Sequence, residues 1–126
     1  MAATLSEPLE QFVRTRLPSI EQVEIVLLLR RDASRAWSAP EVSQELSTPP
    51  ESTAMRLFLL ASNGILAFEG GGIPRYRYAA SDDATDELVN QLAVAREENK
   101  DALYAVVGRP NTDPIRSFAD AFKLKR

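Results

Sequence analysis

Apolar positions along the chain change their spacing several times, and each change marks an element. Leu9, Phe12, Val13 and Leu17 recur at helical intervals after Ser6-Glu7-Pro8, which predicts a first helix over residues 7–16, ended by Pro18. Ser19 and Gln22 make a capping box for a second helix. Its Ile20, Val23, Val26, Leu27 and Leu29 leave little polar face, so this helix is expected at the buried centre of the domain. Arg30, Arg31 and Asp32 close it, and residues 35–38 are long enough only for a bridge or a small strand. Ser38 with Glu41 starts a helix over 40–46, with Pro40 in the first turn, where a missing N–H costs nothing. Thr48 with Glu51 repeats the device around Pro49-Pro50, and the next helix runs to Asn63, where Gly64 supplies a left-handed stop. Two short capped helices across a tight connection are the mark of a helix-turn-helix.

Beyond Gly64 the period falls to two. Residues 65–69 read as a strand, Gly70-Gly71-Gly72 as a turn and residues 73–78 as a returning strand. Alternation there places Arg75 and Arg77 on one face and Tyr76 and Tyr78 on the other, and Pro74 implies an edge position. Helical spacing returns at Ser81 and predicts one long helix to about Val107. Within it Leu88, Leu92, Ala95, Asn99, Ala102 and Val106 are spaced 4, 3, 4, 3, 4, a heptad seam with an asparagine at a core position. Such a seam either joins two copies into a homodimer, or packs on the rest of its own chain. Residues 108–114, with Pro110 and Pro114, read as a linker. The segment 115–126 carries Ile115, Phe118, Ala119 and Phe122 at i, i+3, i+4 and i+7, with Lys123, Lys125 and Arg126 beyond them. It reads as an amphipathic docking helix for a protein partner; its own domain, or a membrane surface, are the other places for it.

A chain of 126 residues holds one ordinary domain with appendages, here 1–80, a long helix over 81–108, and a linker and amphipathic segment over 109–126. With 44% hydrophobic and 26% charged residues the composition is that of a globular protein. No stretch approaches the roughly 20 apolar residues of a membrane span and no secretory leader is legible, so a soluble, cytoplasmic protein without integral membrane association is expected. The chain has neither Cys nor His, which removes thiolate and imidazole nucleophile pairs, the common zinc ligand sets and the usual general base near neutral pH. No enzymatic activity, metal or cofactor is therefore expected. Asp82, Asp83, Asp86 and Glu87 imitate a metal cluster, but acids in a first helical turn are favoured by the helix dipole in any case. Gly70-Gly71-Gly72 lacks the strand-turn-helix setting and the lysine of a phosphate-binding loop, and Trp37 reads as a lid on the core.

The order of elements resembles the winged helix-turn-helix proteins of bacterial transcription regulators, over about residues 19–80. The residues that carry it are Ala39-Pro40-Glu41-Val42-Ser43-Gln44-Glu45-Leu46 for a support helix, and Ser52-Thr53-Ala54-Met55-Arg56-Leu57, Leu60 and Gly64-Ile65-Leu66 for recognition helix and strand. The resemblance implies an α+β, mostly helical fold: a winged helix with an added N-terminal helix, a long C-terminal helix and a short tail. It also implies a small dimeric DNA-binding regulator in which Ser52, Thr53, Met55 and Arg56 face bases while Arg75 and Arg77 hold the backbone. Arg75 and Arg77 read equally as the solvated face of an edge strand.

Charge qualifies that picture. The net charge of the chain is −3, and residues 1–80 hold eight basic and nine acidic side chains, so any attraction to a polyanion has to be local. Leu57, Phe58, Leu59 and Leu60 are consecutive, and four neighbours on a helix cannot all face one core. At least one of Phe58 and Leu59 is expected at the surface or under another element. The second functional reading is accordingly a winged-helix adaptor that binds protein through Phe58, Leu59 and the segment carrying Ile115, Phe118 and Phe122.

Overall fold

The computed structural model describes residues 5–107, so the predicted docking segment with Ile115, Phe118 and Phe122 lies outside the described residues. The elements are α1 (Glu7–Arg16), α2 (Ile20–Arg31), β1 (Trp37–Ser38), α3 (Ala39–Leu46), α4 (Pro50–Ser62), β2 (Leu66–Glu69), β3 (Arg75–Tyr78), α5 (Asp83–Glu98) and α6 (Lys100–Val106). None of the described helices is long and apolar enough to cross a membrane.

The start signals read from sequence act largely as expected. Ser6, Ser19 and Ser38 accept from the backbone N–H of Leu9, Gln22 and Glu41, and Glu41 reaches back to the Ser38 N–H at 2.9 Å to complete the box. The box at Ser19 and Gln22 is half made, since Gln22 Oε1 accepts from the Ser19 hydroxyl at 3.1 Å and not from its N–H, and the predicted box at Thr48 and Glu51 does not form. Pro49 stands at the N-cap of α4 without a side-chain bond, and the Thr48 hydroxyl instead meets that of Thr53 at 2.6 Å. Gly64 adopts φ +82, the left-handed conformation expected of it, and an added Cβ would stand 2.8 Å from the Ser81 hydroxyl.

The turn between α3 and α4 is made by Ser47 at φ 57, a left-handed residue with a side chain. That conformation costs an L-residue about 1–2 kcal/mol, against roughly 0.5–1 kcal/mol of extra chain entropy for glycine. Ser47→Gly should therefore stabilise the fold by about 0.5–1 kcal/mol in a urea titration, and a destabilised variant would mean that the serine side chain holds the turn.

α2 is the buried centre, packed by α3, α4, β3 and α5, with Val23, Ile25, Val26, Leu28 and Leu29 all in the core. The sheet is antiparallel with order β1-β3-β2, Trp37 lying opposite Tyr76 and Phe68 opposite Tyr76 on the other side. This corrects the edge placement inferred from Pro74. The two-residue β1 pairs with β3 and makes it central, while Pro74 ends before the strand begins and so withholds no ladder N–H. Trp37 is buried beneath the Arg35 guanidinium, 3.6 Å from its ring centroid.

The long helix predicted over 81–107 is two helices. Asn99 leaves helical geometry at φ −151, ψ 54, and α6 starts directly after it. The heptad seam is corrected with it. Leu92, Ala95 and Val106 are buried within their own chain, together with Val89 and Leu103, where α5 and α6 pack on α1. Leu88, Asn99 and Ala102 are only half-buried. Asp82 caps α5 by accepting from the Thr85 N–H at 2.7 Å, and Asp86 accepts from the Tyr78 hydroxyl at 2.5 Å.

Polar contacts pin this layer to the rest. Arg16 donates to the Asn63 carbonyl and to the Thr85 hydroxyl, tying together the ends of α1 and α4 and the start of α5. On α2, Glu24 accepts from Arg96 at 3.0 and 3.3 Å and from the Tyr104 hydroxyl. Burial alone would raise the Glu24 pKa, but those donors and the charges of Arg96 and Lys100 outweigh it and hold the carboxyl below its ordinary 4.5. Its contribution to stability is therefore present above about pH 4.5 and lost as the pH falls through the lowered value.

Candidate nucleic-acid interface

The helix-turn-helix is α3 and α4, and the β2–β3 hairpin is the wing beside it. α4 buries Thr53, Leu57 and Leu60 against the core, at i, i+4 and i+7, and turns its opposite face to solvent. That outward face carries Met55 at 64% exposure, Phe58 at 60% and Leu59 at 40%, with Glu51, Ala54 and Ser62 also exposed. Phe58 and Leu59 are thus both at the surface.

Of the residues expected to face bases, Thr53 is misplaced. It is fully buried, its hydroxyl lying 3.1 Å from Glu21 Oε2 and 2.8 Å from the Pro49 carbonyl while Thr48 donates to it. The spacing Thr53, Leu57, Leu60 carried the signal that would have placed it on the inner face. Ser52 is half-buried and donates towards the Glu21 carboxylate at 3.2 Å. Arg56 Nε donates to Glu21 Oε1 at 2.8 Å, and its Nη1 to Gln22 Oε1 at 3.4 Å. Only Met55 of the four projects with no polar tie.

Glu21 is the residue that sequence reasoning missed. Sitting in the first turn of a buried helix, it gathers Ser52, Thr53 and Arg56 of α4 on one carboxylate. It thereby ties α4 to the start of α2, and it neutralises the single cation of α4.

The wing behaves similarly. Arg77 donates to Glu69 on the neighbouring strand at 2.8 Å, and Arg75 donates to Glu41 of α3 at 3.4 Å, with Arg35 lying 3.8 Å from the same carboxylate. The backbone bond from Ser38, together with Arg75 and Arg35, holds the Glu41 carboxyl below its usual range. These wing pairs are about 40% exposed, so each is worth no more than roughly 1 kcal/mol and can exchange partners readily. Phe68 and Ile73 stand exposed on the same hairpin, Phe68 edge-on to Tyr76 with ring centroids 5.4 Å apart.

No known family's sequence profile matches the chain, and no curated protein does. Solved structures do. The YusO protein from Bacillus subtilis superposes with a TM-score of 0.55 at 12% identity, over 93% of this chain and 79% of that one. A MarR family protein from Bacillus stearothermophilus gives 0.52 at 16% identity, over 93% and 81%. The transcriptional regulator Tm0710 from Thermotoga maritima gives 0.54 at 13%, over 91% and 80%. At such identities the likeness is one of fold, and the similarity extends across α1, α5 and α6 as well as the helix-turn-helix and wing. The chain therefore has the winged helix-turn-helix fold, α+β and mostly helical, in the arrangement also found in the MarR family protein and in the transcriptional regulator Tm0710.

Proposed function

We propose that this chain is a winged-helix transcription regulator that binds duplex DNA as a homodimer, with α4 at the major groove and the wing on the backbone. The observation that carries the reading is the presentation of α4. Its outer face is turned to solvent because Thr53, Leu57 and Leu60 seat the inner face in the core, and the arginine-bearing hairpin flanks it in the arrangement shared with a solved regulator. Ser52, Met55 and Arg56 are the residues nearest to a reading role; Thr53 acts behind the helix.

Arg75 and Arg77 make contacts that position without specifying. Replacing both by Ala should weaken binding to all duplexes alike and flatten the dependence of log K on log salt by about 1.8, the release expected for two phosphates. Unchanged affinity in the double variant would leave the wing as scaffold.

Homodimerisation is part of the proposal, and it needs a surface other than the buried seam. On α5 and α6 the large apolar side chain left outside is Val94, 53% exposed. Sedimentation at micromolar concentration reads the mass directly, and a monomer at every concentration would remove the dimer from the proposal.

A second reading is favoured by one observation. The outward face of α4 is apolar where a base-reading surface is polar, which suits a protein-binding adaptor. An adaptor would bind duplex DNA no better than any acidic protein does.

A further inference from the structure

The exposed apolar side chains on the outward face of α4 are concentrated in two adjacent turns. Met55, Phe58 and Leu59 are each at least 40% exposed there, and Ile20, at the start of α2 beside Glu21, is 45% exposed. So large an apolar cluster on a helix whose inner face already serves the core calls for a cover.

We propose that the cover is residues 115–126 of the same chain, Phe118 and Phe122 lying across Met55, Phe58 and Leu59. Pattern, reach and charge support this occupant. Ile115, Phe118, Ala119 and Phe122 form a single apolar stripe at helical spacing, the complement of a short apolar helix face.

The end of α6 is tied to α4 through α2. α6 ends at Val106, one turn beyond Leu103 and Tyr104, and the Tyr104 hydroxyl donates to Glu24. Glu24 lies one helical turn along α2 from Glu21, which holds Ser52 and Arg56 on α4. The path from α6 to α4 is thus two side-chain contacts and one turn of α2. Residues 108–114 can extend over roughly 24 Å.

Charge complements. The side chains of 115–126 carry Arg116, Lys123, Lys125 and Arg126 against Asp120, a net of +3. Residues 39–62, the helix-turn-helix, carry Glu41, Glu45 and Glu51 against Arg56; Glu41 is paired with Arg75 and Arg35 and Arg56 with Glu21, so the exposed Glu45 and Glu51 give this surface its negative charge. Basic residues beyond the stripe are drawn to this surface and not repelled by it.

The cover stands on its own whether or not DNA is the ligand. Where DNA is the ligand, a consequence resting on that reading follows: the segment must leave before α4 can enter a groove.

The absence of cysteine makes the test clean, because introduced thiols have no competitor. In the full chain, Ser62→Cys with Ala119→Cys, treated with a short bismaleimide, should give an intrachain cross-link. Val94→Cys with Ala119→Cys should give none, and adding Phe118→Ser and Phe122→Ser should abolish the first product. An interchain product would place the segment of a second copy on α4, and no product, or equal products from both pairs, would leave the face uncovered by this segment. Each of those results overturns the proposal.

Peroxide oxidation supplies a readout that needs no thiol. The chain has two methionines, Met1 and Met55, so Met1 serves as internal reference. Met55 should oxidise several-fold faster in the Phe118→Ser, Phe122→Ser variant than in the unaltered chain. Equal rates would contradict the cover. Neither readout uses DNA, so its failure is distinct from failure of the regulator reading.

Discussion

Leu92→Asp should unfold the chain, and Val94→Asp, two residues along the same helix, should leave it folded. Leu92 is fully buried among the core side chains of α5 and its neighbours, whereas Val94 stands 53% exposed. A carboxylate placed at 92 sits among apolar core side chains, with Arg96 one turn along already held by Glu24, and a buried charge together with the lost leucine costs about 4–5 kcal/mol or more. Total stabilities of single domains are about 5–15 kcal/mol, so most of the folded population is at stake. Val94→Asp at the surface should change stability by no more than about 0.5 kcal/mol, and under the dimer proposal it lowers the sedimenting mass. Circular dichroism on heating separates the two. A Leu92→Asp protein that melts like the parent would mean that this side chain faces outward and that the heptad seam belongs to an interface between copies.

Those two residues also illustrate what could be read from sequence. The 4-3 spacing correctly picked Leu92, Ala95 and Val106 as apolar-face positions, but spacing is indifferent to whether the covering surface is a second chain or α1 of the same one. The break at Asn99 was invisible because neither Gly nor Pro marks it, and because α6 resumes with Leu103 and Val106 buried, so the stripe reads as continuous. Asparagine can leave a helix at little cost, since its side chain offers the backbone other partners. The ends of α1 and the stop at Gly64 were legible because Ser6, Pro18 and Gly64 act locally. The centrality of β3 was not, because the two-residue β1 gives no periodic signal. In the interface, Phe58 and Leu59 announced themselves by crowding. The ties of Ser52 and Arg56 to Glu21 did not, because they span 31 and 35 residues.

Glu21→Ala should cost stability and yet strengthen DNA binding. The substitution removes charge-assisted bonds from Ser52, Thr53 and Arg56, a loss of about 2 kcal/mol overall, since the Thr53 hydroxyl keeps the Pro49 carbonyl and Arg56 can turn to water. It also deletes one negative charge beside α4 and releases that helix's cation towards solvent. One further phosphate contact steepens the slope of log K against log salt by about 0.9. A denaturant titration and a DNA titration on the same variant check both halves. Weaker DNA binding by a protein that remains folded would mean instead that the Glu21 contacts hold α4 in its reading orientation.

The central claim, that the α4 face and the wing engage duplex DNA, is tested most directly by titrating random-sequence duplex with the full chain across a series of salt concentrations. Binding whose log K falls linearly with log salt is the expected result, because wing arginines on phosphates release counterions when they bind. No binding at low salt, or an affinity indifferent to salt, would contradict the account and leave the apolar face of α4 as a surface for protein.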